Sequence, residues 1–310
     1  MALNLILVHQ LFKQDRADFD EIARRICTRA PEVAVFVVDT KDRAWADPRF
    51  DGAAPTFTVA PMPIKAFVPP RGAVCEGFEH PKSEQYERLA RLGVPAPKWM
   101  RLAPGIALDP SDWGPYVVVK PDLGRKGAGV IIKRTGRVRF RPPDAYAEGH
   151  PARNAPLLAQ RFVYTGRWAV NYRVVTLFGR ALLSWRCEAN SRHVPLNSRW
   201  DFRARGGITV VSNARDSRYE LSRDADVIAL AEEAHAAFPE RPLLGTDIVR
   251  DADTGELWVI ECNPRGDAWL MSSDTGREIE RANGLDFAGQ FDALQVASET
   301  LLRECRMRAR

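Results

Sequence analysis

The sequence predicts a mixed α/β and α+β chain with more than one core. Three observations lead there. Residues 1–38 read strand–helix–strand, the rest reads largely as short apolar strands joined by glycine turns, and amphipathic helices punctuate both. The 310 residues are 45% hydrophobic and 27% charged, the balance of a globular chain rather than a disordered one. A compact chain of this length buries roughly 75% of its unfolded surface, enough for several cores.

The elements follow in order. Leu3–Val8 is a short apolar strand. Asp18 precedes a helix with Phe19, Ile22, Ala23, Ile26 and Cys27 on one face, and Pro31 stops it. Val33–Val38 is the next buried strand, and a connection of that length implies parallel pairing. A stretch holding Pro55, Pro61, Pro63, Pro69 and Pro70 leads to a domain boundary near residue 78. A helix over Ser83–Leu92 ends at Gly93-Val94-Pro95-Ala96-Pro97. Tyr116–Lys120 is a strand, Asp122–Gly129 a glycine-rich loop, and Val130–Lys133 and Val138–Phe140 strands again. Residues 141–156 hold four prolines and form a second boundary, so the expected domains are 1–78, 79–152 and 153–310. Leu157–Val163, Tyr172–Leu177 and Ala181–Arg186 read as strands, the last two turning at Gly179. A helix covers Ala225–Phe238, Thr246–Arg250 and Leu257–Cys262 form a hairpin, and Asp286 precedes a last helix with Phe287, Phe291, Leu294, Ala297 and Leu301 inward.

Charge is unevenly placed within the net +5. Residues 120–218 carry 20 basic and 6 acidic side chains, and residues 219–310 carry 10 and 19. A basic middle beside an acidic end points to a polyanion partner: nucleic acid, a phosphorylated ligand or a membrane surface. No apolar run approaches the ~20 residues that span a bilayer, and Met1–Gln10 has no basic n-region. Cys27, Cys75, Cys187, Cys262 and Cys305 are odd in number and never in a CxxC pair, which places the chain in a reducing cytoplasm.

The most informative segment is Thr246-Asp247-Ile248-Val249-Arg250, then an acidic turn, then Glu256–Asn263. Side chains alternate along a strand, so Glu261 and Asn263 share a face and Cys262 points behind. A turn centred near Thr254 sets Asp247 opposite Glu261. Two carboxylates and an amide oxygen then converge without Cys or His, a hard donor set that suits Mg²⁺. The alternative is a surface hairpin of solvated acids, against which stand the apolar strand around Glu261 and the poor strand propensity of Asn263.

Lys120 ends an apolar strand beside Gly124, Gly127 and Gly129, where an ammonium and backbone N–H groups can hold a phosphate. The segment begins like a Walker A loop, but Val130-Ile131 replaces Lys-Ser/Thr and a strand follows, which removes the P-loop reading and leaves a phosphate loop or an ordinary glycine turn.

Four segments occur in this order: Val117-Val118-Val119-Lys120-Pro121 with its glycine loop, Leu157-Leu158-Ala159-Gln160-Arg161-Phe162-Val163, Leu244-Gly245-Thr246-Asp247-Ile248, and Val259-Ile260-Glu261-Cys262-Asn263-Pro264. Preceded by Pro81-Lys82-Ser83 and Leu92–Pro97, this ordered set over about residues 80–270 resembles the ATP-grasp superfamily, in the branch of bacterial glutathione synthetase and the ribosomal-protein glutamate ligase. The resemblance implies an N-terminal Rossmann-like, pre-ATP-grasp domain and two α+β subdomains sandwiching ATP. It implies a carboxylate–amine ligase that works through an acyl phosphate and releases ADP and phosphate.

By the same resemblance Lys82 and Lys120 contact ATP phosphates, and Gly124, Gly127 and Gly129 belong to the lid over them. Gln160 stands near the adenine amino group, with the Arg161 carbonyl and Val163 N–H pairing to the base. Asp247, Glu261 and Asn263 hold one or two Mg²⁺ ions, with Mn²⁺ as a substitute. Arg173, Arg186 and Arg205 match basic positions near the transferred phosphate and acyl group; taken alone, the strand arginines read equally as solvated faces. Thr165–Asn171 has no acid where relatives hold the ribose hydroxyls. Arg265 binds a substrate carboxylate or caps a turn. His9, after the first strand, is a substrate candidate with a structural alternative. The expected partners are small-molecule or peptide carboxylates and amines, with no membrane, and with a homo-oligomer allowed. Two other readings are a non-catalytic ATP-binding regulatory module and a nucleic-acid-binding protein using the basic segment. The second has no RNA-binding signature to support it.

Overall fold

In a computed structural model the chain is described over residues 2–124, 127–189, 217–265 and 269–310. The described residues form three sheets. β1 (Leu3–His9), β2 (Val33–Asp39), β3 (Thr56–Ala60) and β4 (Ala73–Glu76) make the first, in the order β2-β1-β3-β4 with every pair parallel. The helix Arg16–Arg29 buries Phe19, Ile22 and Ile26. It starts before the expected Asp18, because the Asp15 carboxylate caps it by accepting the Ala17 N–H at 3.0 Å. β3 and β4 lie inside or just after the proline-rich stretch that leads to the expected boundary near residue 78; all five residues of β3 are buried.

β5 (Trp99–Arg101), β6 (Tyr116–Pro121), β7 (Ile131–Arg134) and β8 (Leu157–Arg161) form the second sheet, antiparallel in the order β5-β8-β6-β7. Its last strand therefore comes from beyond residue 152. Val138–Phe140 is not a strand; Val138 is buried among Trp113, Val117 and Val119 from a turn instead.

β9 (Val170–Leu177), β10 (Arg180–Ala189), β11 (Ser217–Leu221), β12 (Leu243–Arg250) and β13 (Leu257–Asn263) form the third sheet, antiparallel in the order β11-β10-β9-β12-β13. One face packs Tyr172, Val174, Ile248 and Val259 against Val227, Ala231 and Phe238 of the helical segment that opens with Ala225–His235. The helix Ala293–Arg308 begins seven residues after Asp286; Phe287 lies in the preceding turn, buried against Trp185. That helix ties the two ends of the chain together through Arg29–Glu299 and a buried Cys305.

β13 is an edge strand, and three of its outer backbone groups are taken by other elements. The Cys262 N–H donates to Gln85 Oε1 at 2.8 Å, the Val259 N–H donates to the Pro95 carbonyl at 2.9 Å, and the Ile260 carbonyl accepts from Tyr86 and Lys120. A covered edge resists pairing with other chains. Here it also sets the helix Lys82–Arg91 and the end of β6 beside the acidic strand.

Candidate functional site

Residues opposed across a ladder project from the same face of a sheet. Trp185 pairs with Arg173, Arg173 with Asp247, and Asp247 with Glu261, so one row of side chains crosses β10, β9, β12 and β13. The expected Asp247–Glu261 register is the observed one, and Gly245 faces Asn263 in the same frame. A bulge follows between Asp247 and Ile248, which ends the regular pairing beside the row.

Arg173 grips Asp247 bidentately, Nε to Oδ1 and a terminal nitrogen to Oδ2, each at 2.6 Å. Asn263 Nδ2 donates to Asp247 Oδ2 at 3.2 Å. Burial pushes the Asp247 carboxyl up, and the Arg173 guanidinium pulls it back. Burial also opposes the charge on Arg173, but Asp247 outweighs it and keeps the guanidinium protonated. Facing the row, Lys82 Nζ lies 3.0 Å from Glu261 Oε1 and donates to the Gly124 carbonyl at 3.1 Å. Lys120 Nζ donates to the Ile260 carbonyl at 3.1 Å and stands over the Tyr86 ring. Burial holds Lys120 down at about 8.

Two cavities meet at this row. The first, about 180 Å³, lies between the second and third sheets and is mostly apolar. It gathers Lys82, Lys120, Gly124, Gly127, Gln160, Arg161, Val163, Asp247 and Glu261 from segments far apart in sequence. Gly127 and Gly129 take φ of +70° and +74°, and a Cβ on Gly129 would sit 2.9 Å from Pro121 Cγ, so the backbone there passes close to the end of β6. Gln160 is buried with its Nε2 lacking a hydrogen-bond partner, an unmet amide on the cavity wall. The second cavity, about 470 Å³, joins the first at Lys82, Gly124, Gly127, Asn171 and Glu261. It runs past Arg173, Trp185 and Tyr219 to Arg265, Phe12 and the start of the helix Asp274–Asn283. Arg265 lines it and pairs with Glu79 at 3.4 Å.

Two expected site residues stay out. Arg186 pairs across the ladder with Tyr172, one step off the row, so it projects from the opposite face; its guanidinium meets Glu188 and, at 2.9 Å, Glu220. Being on a neighbouring strand does not bring it to Arg173, because adjacent residues alternate faces. His9 is buried with its ring 5.7 Å from that of Phe19, outside the lining of both cavities. Arg205 lies outside the described residues. Asn171 was missed. It projects from the same face as Arg173, lines both cavities and buries an Oδ1 with no hydrogen-bond partner. The sign was available: Asn is as poor a strand residue at 171 as at 263.

The site fits a Mg²⁺–nucleotide on three observations. Its donors are hard oxygens from two opposed carboxylates and an amide, with no His or Cys. Three cations face those two carboxylates, leaving positive charge for phosphate. Unmet amides line the cavity. Among the described residues no group of three His, Cys, Asp or Glu is placed to hold a metal ion. No helix there is long and apolar enough to cross a membrane.

No protein-family model matches the chain, and no curated protein matches it in sequence. Solved structures do match. D-cycloserine synthetase DcsG is 17% identical, with a TM-score of 0.53 over 96% of this chain and 99% of its own. The ATP-grasp ligase PsnB, complexed with a phosphomimetic variant of a minimal precursor, Mg and ADP, is 16% identical, with a TM-score of 0.50 over 96% and 99%. At such identities the likeness is one of fold, and the chain has the ATP-grasp fold.

Proposed function

We propose that the chain is an ATP-dependent carboxylate–amine ligase of the branch that resembles glutathione synthetase. The carrying observation is the row Arg173–Asp247–Glu261 facing Lys82 and Lys120 where the two cavities join. Two proteins of the same fold, one named a synthetase and the other a ligase complexed with Mg and ADP, support it. The proposed domains are the pre-ATP-grasp unit 1–78, the subdomain 79–152, whose sheet borrows β8, and the subdomain 153–310.

A carboxylate is a poor electrophile. Its oxygen attacks the terminal phosphorus of ATP, the bond to ADP breaks, and an acyl phosphate forms. An amine nitrogen then attacks the acyl carbon, the C–O bond to phosphate breaks, and the amine loses its proton. Asp247, Glu261 and the Asn263 oxygen would hold Mg²⁺, one or two ions, or Mn²⁺, which neutralises phosphate charge. Lys82 and Lys120 bind phosphate oxygens, and the backbone near Gly124, Gly127 and Gly129 lies over them. Gln160 and the backbone of Arg161 and Val163 take the base. Arg173 stabilises charge on the transferring group. The acid and amine, metabolite or peptide, occupy the second cavity, with Arg265 toward its far end.

The alternatives fare worse. Arg186 of the basic segment is engaged by Glu188 and Glu220 rather than offered to a polyanion, and Arg173 lines the cleft rather than an open surface. A regulatory module needs neither the carboxylate pair nor a second cavity. Incubation with ATP, Mg²⁺ and panels of carboxylates and amines, read by mass spectrometry, decides. A condensation product with ADP, lost by a factor of about 10² or more in Asp247→Asn and Glu261→Gln, is expected. Nucleotide binding without ADP release from any pair would leave the regulatory module.

A further inference from the structure

We propose that Arg173 and Lys82 latch the metal-binding carboxylates, so that a divalent cation enters only with the nucleotide. Both carboxylates are already engaged by cations of the chain itself. Both Asp247 oxygens accept from Arg173 at 2.6 Å, and the Asp247 side chain is 5% exposed. Asn263 turns Nδ2, not its oxygen, toward Asp247. Glu261 Oε1 is 3.0 Å from Lys82 Nζ, which a second acceptor, the Gly124 carbonyl, also holds. A metal ion arriving alone must share these carboxylates with two fixed cations, and beside the buried Asp247 and Lys82 like charges repel more than in water.

Phosphate changes that balance. Its oxygens are bidentate acceptors for a guanidinium and point acceptors for an ammonium. Two cation–carboxylate pairs then exchange for cation–phosphate and metal–carboxylate pairs, with no buried charge left unpaired. The latch thus excludes bare metal and couples metal affinity to nucleotide. Lys120 is the internal contrast. It carries charge into the same site but touches the Ile260 carbonyl rather than a carboxylate.

This rests on the ligase reading for the metal ligands and for the identity of the nucleotide. The test is binding of Mn²⁺, followed by the electron-spin resonance of the free ion, with and without a non-hydrolysable ATP analogue. Wild type should bind Mn²⁺ at least tenfold more tightly with the analogue. Arg173→Gln and Lys82→Met should each raise affinity for Mn²⁺ alone about tenfold, whereas Lys120→Met should change it less than threefold. Circular dichroism and the melting temperature identify a variant that fails to fold; the two latch variants are independent, so either one suffices. Equal Mn²⁺ affinity with and without bound analogue overturns the latch. So does an equal gain from all three substitutions, which is a general charge effect, or no gain from either latch variant. If the analogue fails to bind, the nucleotide reading falls, and the gain in bare-Mn²⁺ affinity still decides the latch.

Discussion

Lys120 and Tyr86 donate to the same oxygen. The Ile260 carbonyl accepts the Tyr86 hydroxyl at 2.6 Å and the Lys120 ammonium at 3.1 Å, and Lys120 lies over the Tyr86 ring at 5.3 Å. The pair fixes a buried ammonium next to Glu261 without a direct carboxylate partner. Burial lowers Lys120 from 10.5 to about 8. Between those values the unfolded chain binds the proton and the folded one does not, so this group makes stability rise with pH across about 8 to 10.5. Phosphate favours the charged form, so binding takes up a proton above pH 8. Affinity for a non-hydrolysable ATP analogue should therefore fall above about pH 8, by at most about tenfold per unit for one proton. Lys120→Met should bind more weakly at pH 7 and lose this slope. Calorimetric titration from pH 7 to 9.5 checks it; a slope unchanged by the substitution would sink the assignment.

Gln160 tests the base side of the cleft. Its buried Nε2 has no partner, a state that costs about 1–3 kcal/mol unless a ligand meets it. Gln160→Ala should weaken binding of the ATP analogue about tenfold while leaving affinity for inorganic triphosphate within a factor of two. Equal losses for both ligands would place Gln160 away from the base.

The carboxylate row was readable because a hairpin is local. Alternation and one turn position were enough to set Asp247 against Glu261, and the ordered motifs marked Lys82, Lys120 and Gln160. What escaped depends on contacts distant in sequence. Arg173 meets Asp247 across 74 positions, and Tyr86 meets Ile260 across 174. Thr56–Ala60, flanked by Pro55 and Pro61, becomes a strand only through its pairing with β1 and β4. Arg186 failed for a different reason. Strand neighbourhood was considered without the facing, and the facing depends on the β9–β10 register and its bulge near Leu183.

That facing makes a sharp contrast. Arg186 is part-exposed between Glu188 and Glu220, where such ion pairs contribute only about 0–1 kcal/mol. Arg186→Ala should leave turnover and KM for ATP within twofold of wild type. Arg173→Ala strands a buried carboxylate and should lower stability by roughly 3–5 kcal/mol, with turnover falling by a factor of about 10² or more. Steady-state kinetics and urea denaturation on both variants check the pair. Comparable losses of turnover in the two would return Arg186 to the site.

His235 predicts how the helix Ala225–His235 and the third sheet respond to acid. It is buried under the third sheet, with Nδ1 2.6 Å from Thr176 Oγ1 and Nε2 2.9 Å from the Arg241 carbonyl. A carbonyl can only accept, so Nε2 carries the proton and Nδ1 accepts from the threonine hydroxyl in the neutral ring. Burial lowers its pKa from 6.5 to about 4. Between those values the unfolded chain takes up the proton and the folded chain does not, so stability falls as pH drops through that window. At about 1.4 kcal/mol per unit the full loss is on the order of 3 kcal/mol. His235→Gln keeps a donor for the Arg241 carbonyl but removes the titration. Its urea midpoint should start below that of wild type at pH 7 and converge with it toward pH 4.5, since the carboxylates titrate alike in both. Parallel curves over that range would show that the ring takes up its proton in the folded chain as well, and that the acid sensitivity belongs elsewhere.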